Sequence, residues 1–539
     1  MRTIIIPLVF GICLSMTHFA HAEFGLKDDG KSYEIDTGAG LVVQISQRNG
    51  DIRQILWNGD NLSISRGSHI KSGLGPGTKV TAYPSLETGT IIVTAEPQVS
   101  AEREKDENDD SPQDTGNPYE SLVHYYVFRR NEPVVYMATY IVHPFGELRW
   151  ITRLNHEKFD RFQPGSDLSG NIGPMESKDV FKLKNGESRS KYYGNQRAKE
   201  LTIRGITGPG VGIFMAYGSR ETASGGPFFR DIQNQTAEVY NYMFSGHNQT
   251  EKARVGLHGP YALVFTHGEI PLIPDMSFMA TLGIKGWVPG KERGYVTGTS
   301  SGTLAGLPVT VGWANETAQY WSDGPNFRSP AMKPGIYDQT LYQGEFAIAV
   351  SKVKVEPGKT TRHNISASPT PPAPLWRIGI WDGTPGEFAN GTTFPLRHPS
   401  DPRNAPWPKE FTIGKDQPSA FPAAQWADIN HPIRITFDLK RNEVKPRKVT
   451  IGLTAAYTRG RPSIRVNDWN SKAPSASLQP DSRSLTIGTY RGANTNFDFE
   501  IPAKALKPGR NTLEIHVVGQ GGFGAFLSPG YAFDCIEMR

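Results

Sequence analysis

Tyr240-Asn241-Tyr242-Met243-Phe244-Ser245-Gly246-His247 gathers phenols, a glycine and an imidazole within eight residues, and Glu251 and Arg254 follow closely. Tyrosines two apart predict a strand with one aromatic face, because strand side chains repeat with period two. The glycine then releases the chain into a turn that presents His247. Phenol, imidazole, carboxylate and guanidinium beside a turn suit proton transfer or sugar binding. Two other stretches supply the base and charge clamp that a lone histidine lacks: Gly146-Glu147-Leu148-Arg149-Trp150-Ile151-Thr152-Arg153, and Gly186-Glu187-Ser188-Arg189-Ser190-Lys191-Tyr192-Tyr193. An arginine can hold a carboxylate with a two-pronged hydrogen bond. A lysine beside another cation and partly out of water is pushed toward its neutral, basic form.

Other chemistries are excluded by absence. There is no phosphate-cradling glycine loop, no G-x-G-x-x-G opening a helix, no H-E-x-x-H and no G-x-S-x-G. The sequence holds two cysteines, Cys13 and Cys535, too few for a thiolate zinc site. A hydrolytic pair of carboxylates could be drawn from many Asp and Glu residues, and no pair stands out.

The elements that must position these groups are strands. Gly 57 and Pro 41 make frequent turns, and long helical periodicity is missing. Runs such as Leu41–Ile45, Gly89–Thr94, Tyr125–Phe128 and Val134–Ile141 predict a large antiparallel β-sandwich over 23–288. Between them, Glu102 to Glu120 is polar and acidic and reads as a surface loop. Shorter strands (Tyr295–Gly298, Val309–Trp313, Phe346–Val350, Val353–Val355) suit a fibronectin-like sandwich over 289–370. A Pro-rich stretch, Ser368 to Pro374, reads as a stiff linker. The rest, 371–539, again shows short strands (Ile433–Phe437, Lys448–Leu453, Thr512–Val518). Half of the ten tryptophans lie there: Trp376, Trp381, Trp407, Trp426 and Trp469. Their flat faces suit either a core or a pyranose ring.

Residues 1–22 read as an export signal: Arg2, an apolar run from Ile4 to Met16, and Ala20-His21-Ala22 before Glu23. The run is too short to span a bilayer, so a secreted or periplasmic protein with no membrane segment is expected. Cys535 would then be the one remaining thiol, buried in the last strand. The formal charge of +5 falls to +4 with Arg2 removed, far from the basic stripe of a nucleic-acid binder but favourable toward an acidic polymer. Asn248 heads one of six N-x-S/T acceptors, and a glycan there would crowd His247.

Taken together, Glu147-Leu148-Arg149-Trp150-Ile151, Ser190-Lys191-Tyr192-Tyr193, His247 to Glu251 with Arg254 to Leu263, and Ile378-Gly379-Ile380-Trp381-Asp382-Gly383-Thr384-Pro385 resemble rhamnogalacturonan lyases of polysaccharide lyase family 4. The resemblance runs over nearly the whole mature chain. It implies an all-β protein: a galactose-mutarotase-like catalytic β-sandwich, a fibronectin III-like β-sandwich, and a jelly-roll resembling carbohydrate-binding modules. It also implies an essential lysine and histidine, which fall on Lys191 and His247, with Arg149 (Arg153 being the other candidate), Tyr240 and Tyr242 on the substrate; Glu251 and Arg254, which follow in the third motif, are read as substrate-binding too. Gly194 stands where the motif leads one to expect a small hydroxyl residue.

The expected reaction is β-elimination on rhamnogalacturonan I, an acidic cell-wall polysaccharide, with Lys191 as base and His247 as acid. The roles can be exchanged, because histidine starts with the more suitable pKa. Arg149 takes over the charge-offsetting work of a metal, so no cofactor is required and no catalytic metal is expected, while a structural calcium in the last domain is compatible. A monomer is expected. A pectin-binding protein without activity, or a hydrolase or mutarotase-like enzyme on the same sandwich, are the competing readings.

Overall fold

The computed structural model describes residues 23–98, 122–176, 178–368, 373–480 and 483–539. The export signal, the acidic 102–120 loop and the centre of the Pro-rich stretch lie outside these residues.

Alternation of buried side chains builds the first sandwich. A seven-stranded antiparallel sheet runs in the order Ile203–Gly208, Val211–Ala216, Gly256–Thr266, Val134–Ile141, Leu122–Arg129, Thr90–Glu96, Lys79–Ser85. Val134–Ile141 lies at its centre and is covered on both faces. Val135, Met137 and Ile141 point into the main core, while Val134, Tyr136 and Ala138 meet Met276, Met279 and Ile284 from the segment that follows Gly256–Thr266. A five-stranded sheet between Gly25 and Asn61 supplies Ile35, Leu41, Val43, Ile45 and Ile55 to the same main core.

The second sandwich pairs Gln319–Asp323, Val309–Ala314, Gly335–Gln343 and Phe346–Val355 against a smaller sheet around Tyr295–Ser301. Its core is set by Trp313, Tyr337 and Leu341, and the Trp313 indole donates to Gln339 Oε1 at 2.8 Å. The two short strands read at Phe346–Val350 and Val353–Val355 are one strand. Ser351 and Lys352 keep the register opposite Gln339 and Asp338, so no turn breaks it.

The third unit stacks two five-stranded sheets, with Gly530–Met538 and Arg447–Tyr457 central in one and Ile433–Leu439 and Gly509–Val518 in the other. Ile433–Leu439 buries every second side chain and leaves those between exposed or half-buried, as a strand with one face on a core must. Cys535 is buried in its last strand. Trp376 and Trp426 are core residues, and Trp381, Trp407 and Trp469 are half-buried. Among the described residues the α-helical content is one turn, Ser484–Ile487, so the chain is all-β.

Candidate active site

The strand Leu148–Arg153 pairs with Glu238–Phe244 in the register Arg149 to Tyr242, Ile151 to Tyr240 and Arg153 to Glu238. Period two therefore places two arginines, two tyrosines and a glutamate on one face. The intervening Trp150 and Thr152 point into the core, where the Trp150 indole donates to Thr152 Oγ1 at 2.8 Å and stacks on His124. A register shift between Leu148 and Arg149 sets the arginine at the start of the regular pairing.

Arg149 ion-pairs with Glu147, and its guanidinium stands 5.7 Å from the centre of the Tyr242 ring. Arg153 bonds Glu238 at 2.5 Å, and the Tyr240 hydroxyl donates to the same carboxylate. On the same face His69, opposite Ile151, is pushed down to about 3, by burial first and then by Arg153, Arg149 and Arg66. Three arginines thus gather at this face, Arg149 and Arg153 each paired with a glutamate, and Arg66 was not singled out from sequence.

Tyr240 and Tyr242 stack on one another at 5.8 Å and 19°, and each is 5% exposed. Burial raises both phenols well above their ordinary range. A sugar ring does not stack on them, because both are almost wholly buried and each ring stacks on the other.

His247 follows the strand on the turn opened by Gly246, one-third exposed, with its backbone N–H donating to Ser245 Oγ at 3.1 Å. Its ring meets Tyr242 at 5.9 Å and, edge-on, Tyr192 at 5.6 Å. Its Nδ1 lies 3.4 Å from Asp231 Oδ1. Asp231 is buried, and no sequence motif marked it; the signal was a charged pair, Arg230-Asp231, set between Phe229 and Ile232. Asn248 is 2% exposed, so the acceptor beside His247 is closed to a glycan as folded.

Lys191 sits at the end of Ser188–Ser190, and its Nζ lies 3.4 Å from Asp179 Oδ1. The charged partner in contact is therefore an anion rather than the cation expected from sequence. A cation stands one step further, since Arg483 Nη2 reaches the other oxygen of Asp179 at 3.7 Å. Ser190 Oγ donates to Ile487 O at 2.9 Å, and Glu176 gathers Arg483 Nε (3.1 Å), His398 Nε2 (3.1 Å) and the Thr486 hydroxyl (2.6 Å). The third unit thus anchors the lysine loop. Gly194 has φ +78, and a Cβ there would meet Pro164 O at 3.3 Å, which accounts for glycine where a hydroxyl residue was expected.

Tyr192 bridges the two halves: it follows Lys191 in the chain and its ring touches His247. Its hydroxyl is buried with no hydrogen-bond partner. Beneath it, Ile151, Val180, Ile232, Tyr240, Tyr242 and Ile487 form a small apolar floor. Lys191, His247, Arg149, Tyr240 and Tyr242 are therefore brought to one place. Glu251 and Arg254 stand apart. Arg254 is buried, donating to Glu251 Oε2 (2.8 Å), Ala223 O (2.9 Å), Gln319 Oε1 (3.2 Å) and, through Nε, Asn315 O (2.9 Å) of the second sandwich. That is the position of a brace between two units. Among the described residues no group of three or more His, Cys, Asp or Glu side chains is arranged to hold a metal ion.

A β-sandwich that gathers arginines, phenols, an imidazole beside a carboxylate and an amine suits an enzyme acting on an acidic polysaccharide, and similarity to known proteins agrees. The family model for the N-terminal part of rhamnogalacturonan lyase B matches residues 24–286, and those for polysaccharide lyase family 4 domains II and III match 292–363 and 374–538. The chain belongs to polysaccharide lyase family 4. Among its relatives, rhamnogalacturonate lyase A of Emericella nidulans is 39% identical over 96% of each chain. Rhamnogalacturonate lyase A of Aspergillus aculeatus is 37% identical over 96% of this chain and 97% of that one. Among solved structures, galactose 1-epimerase of Lactobacillus acidophilus NCFM aligns at 9% identity with a TM-score of 0.22, over 45% of this chain and 97% of that one.

Proposed function

We propose that this chain is a rhamnogalacturonan lyase that breaks the rhamnose-(1→4)-galacturonate bond of rhamnogalacturonan I by β-elimination. The base removes the C5 proton of galacturonate, α to the carboxylate. The electron pair of that C–H bond forms the C4=C5 double bond, the C4–O bond breaks, and the leaving rhamnose oxygen takes a proton. Two demands follow: negative charge building on the carboxylate must be met, and two proton-transfer groups must flank the ring.

The carrying observation is the placement of Arg149 on the tyrosine face next to His247, with the Lys191 loop against the far side of the histidine through Tyr192. In this reading Arg149 holds the uronate carboxylate, Lys191 takes the C5 proton, and His247, oriented by Asp231, gives its proton to the leaving oxygen. Burial keeps Tyr240 and Tyr242 neutral, so they add no charge that would repel a polyanion. The leader-like residues 1–22 support export, where such a polymer is met.

The test is an ultraviolet assay on purified rhamnogalacturonan I. Absorbance from the unsaturated uronate rises with the unaltered protein and is abolished by Lys191→Ala. New reducing ends without absorbance would make it a hydrolase, and binding with neither would make it a binding protein.

A further inference from the structure

The three sandwiches meet at a cleft of about 360 Å³, lined by Thr250 of the first, Tyr342 and Phe346 of the second, and Arg491, Asn494 and Asn496 of the third. This volume falls within the roughly 300–1,000 Å³ of small-ligand clefts. No residue assigned to the elimination lines it.

Its chemistry is that of a sugar site. Asn494 and Asn496 flank Thr495 at the start of Thr495–Ile501, so period two turns both amides outward on one side, and both are exposed. A side-chain amide offers donors and an acceptor together, matching neighbouring hydroxyls on a pyranose. Arg491 matches a carboxylate, and Phe346 and Tyr342 offer aromatic surface to the apolar side of a sugar ring. Glu345, in the turn between these two aromatics, does not set the charge. It is buried and bonded by Arg230 (2.9 Å), Arg197 (3.3 Å) and the Tyr490 hydroxyl (2.9 Å). Arg491 is left as the cation facing the cleft.

The cleft is also tied to the catalytic groups. Arg491 Nη1 donates to Thr250 Oγ1 at 3.3 Å. Thr250 is three residues past His247, which limits their separation along the chain to about 10 Å. Such a span is covered by a few sugar rings.

We propose that this junction cleft is a distal subsite, holding an acidic sugar of the same polymer a few residues from the cleaved bond, with its carboxylate on Arg491 and its hydroxyls on Asn494 and Asn496. The proposal rests on the reading of the chain as a lyase of an acidic polysaccharide. It makes the enzyme favour chains long enough to fill both places, and it gives the third unit a part in substrate binding.

Calorimetric titration of rhamnogalacturonan oligosaccharides of increasing length into the Lys191→Ala protein tests it. Affinity should step up on the order of tenfold once the chain reaches the cleft, as two or three hydrogen bonds would give. The added double change Asn494→Ala with Asn496→Ala should flatten that step, and so should Asn494→Asp with Asn496→Asp, which keeps side-chain size and repels a uronate. The same step in both variants and parent overturns the subsite, as does a parent with no step. The titration reads no product. Length-dependent binding by a protein that never forms unsaturated uronate therefore defeats the lyase reading alone, and unsaturated uronate with a flat length series defeats the cleft alone.

Discussion

Asp231 Oδ1 lies 3.4 Å from His247 Nδ1, and the same carboxylate accepts from the Ile232 N–H at 2.7 Å and from the Ser245 hydroxyl. Ser245 in turn accepts from the His247 N–H at 3.1 Å. One buried acid thus stands beside the buried ring nitrogen Nδ1 and, through Ser245, holds the backbone of His247, which leaves Nε2 as the ring nitrogen available for proton transfer.

Replacing that acid with its amide should disturb the ring and leave the groove in place. Asp231→Asn is expected to lower kcat by on the order of 10²-fold while KM stays within about twofold, because the change misorients a proton donor without touching substrate. Steady-state ultraviolet kinetics separates the two constants. Near-normal kcat would mean that Ser245 and the turn suffice to position His247.

Arg149 and lysine are not equivalent at this place. The guanidinium is held between Glu147 and the Tyr242 ring, a planar arrangement that an ammonium cannot reproduce. Arg149→Lys should lower kcat/KM by about 10²-fold, with the larger part in kcat if the carboxylate is gripped more tightly as charge builds on it. An unchanged kcat/KM in this variant would move the carboxylate clamp to Arg153 or Arg66.

Much of this arrangement is legible in sequence because it is local. Period two alone aligns Tyr240 with Tyr242 and Arg149 with Arg153, and one glycine marks the turn bearing His247. The same local logic fails at Ser351 and Lys352, which look like a turn but are carried through a strand by pairing with Gln339 and Asp338. It fails wherever a partner comes from far along the chain. Asp179 and Arg483, which flank Lys191, are separated from each other by about three hundred residues, and Asp231 reaches His247 from a loop with no motif. It also misplaces Arg254, whose neighbours in sequence suggest a groove but whose donors face the second sandwich. Spacing reveals which side chains share a face, whereas charge partners across units depend on how the units dock.

Acid should destabilise the fold through three buried imidazoles. His69, His124 and His258 are each pushed down to about 3, chiefly by burial, from an ordinary 6.5. The unfolded chain takes a proton on each as pH falls through 6.5, and the folded chain does not until about 3. The unfolded state therefore binds more protons in that window, so the stability is fully present above 6.5 and is lost as pH falls. Each imidazole contributes a slope of about 1.4 kcal/mol per pH unit. Urea midpoints measured at pH 7, 6 and 5 should drop steadily, and a flat series would show that these rings are protonated in the folded protein.

The junction itself depends on one carboxylate. Glu345 of the second sandwich is bonded by Arg230 and Arg197 of the first and by Tyr490 of the third. Burial works against the charge on Arg230, and Glu345 more than offsets it, so the guanidinium pKa is raised. Removing the acid alone strands that cation: Glu345→Ala should cost about 3–5 kcal/mol. Replacing both charges removes the stranded group, so Arg230→Met with Glu345→Met should recover most of the loss. Urea unfolding reads the stability, and limited proteolysis of the 289–370 unit reads whether it has come away from its neighbours. If the single variant is as stable as the parent, water reaches Arg230 and the three units are held by their other contacts. If the double variant is no better than the single, the loss comes from packing around Tyr490 rather than from a buried charge.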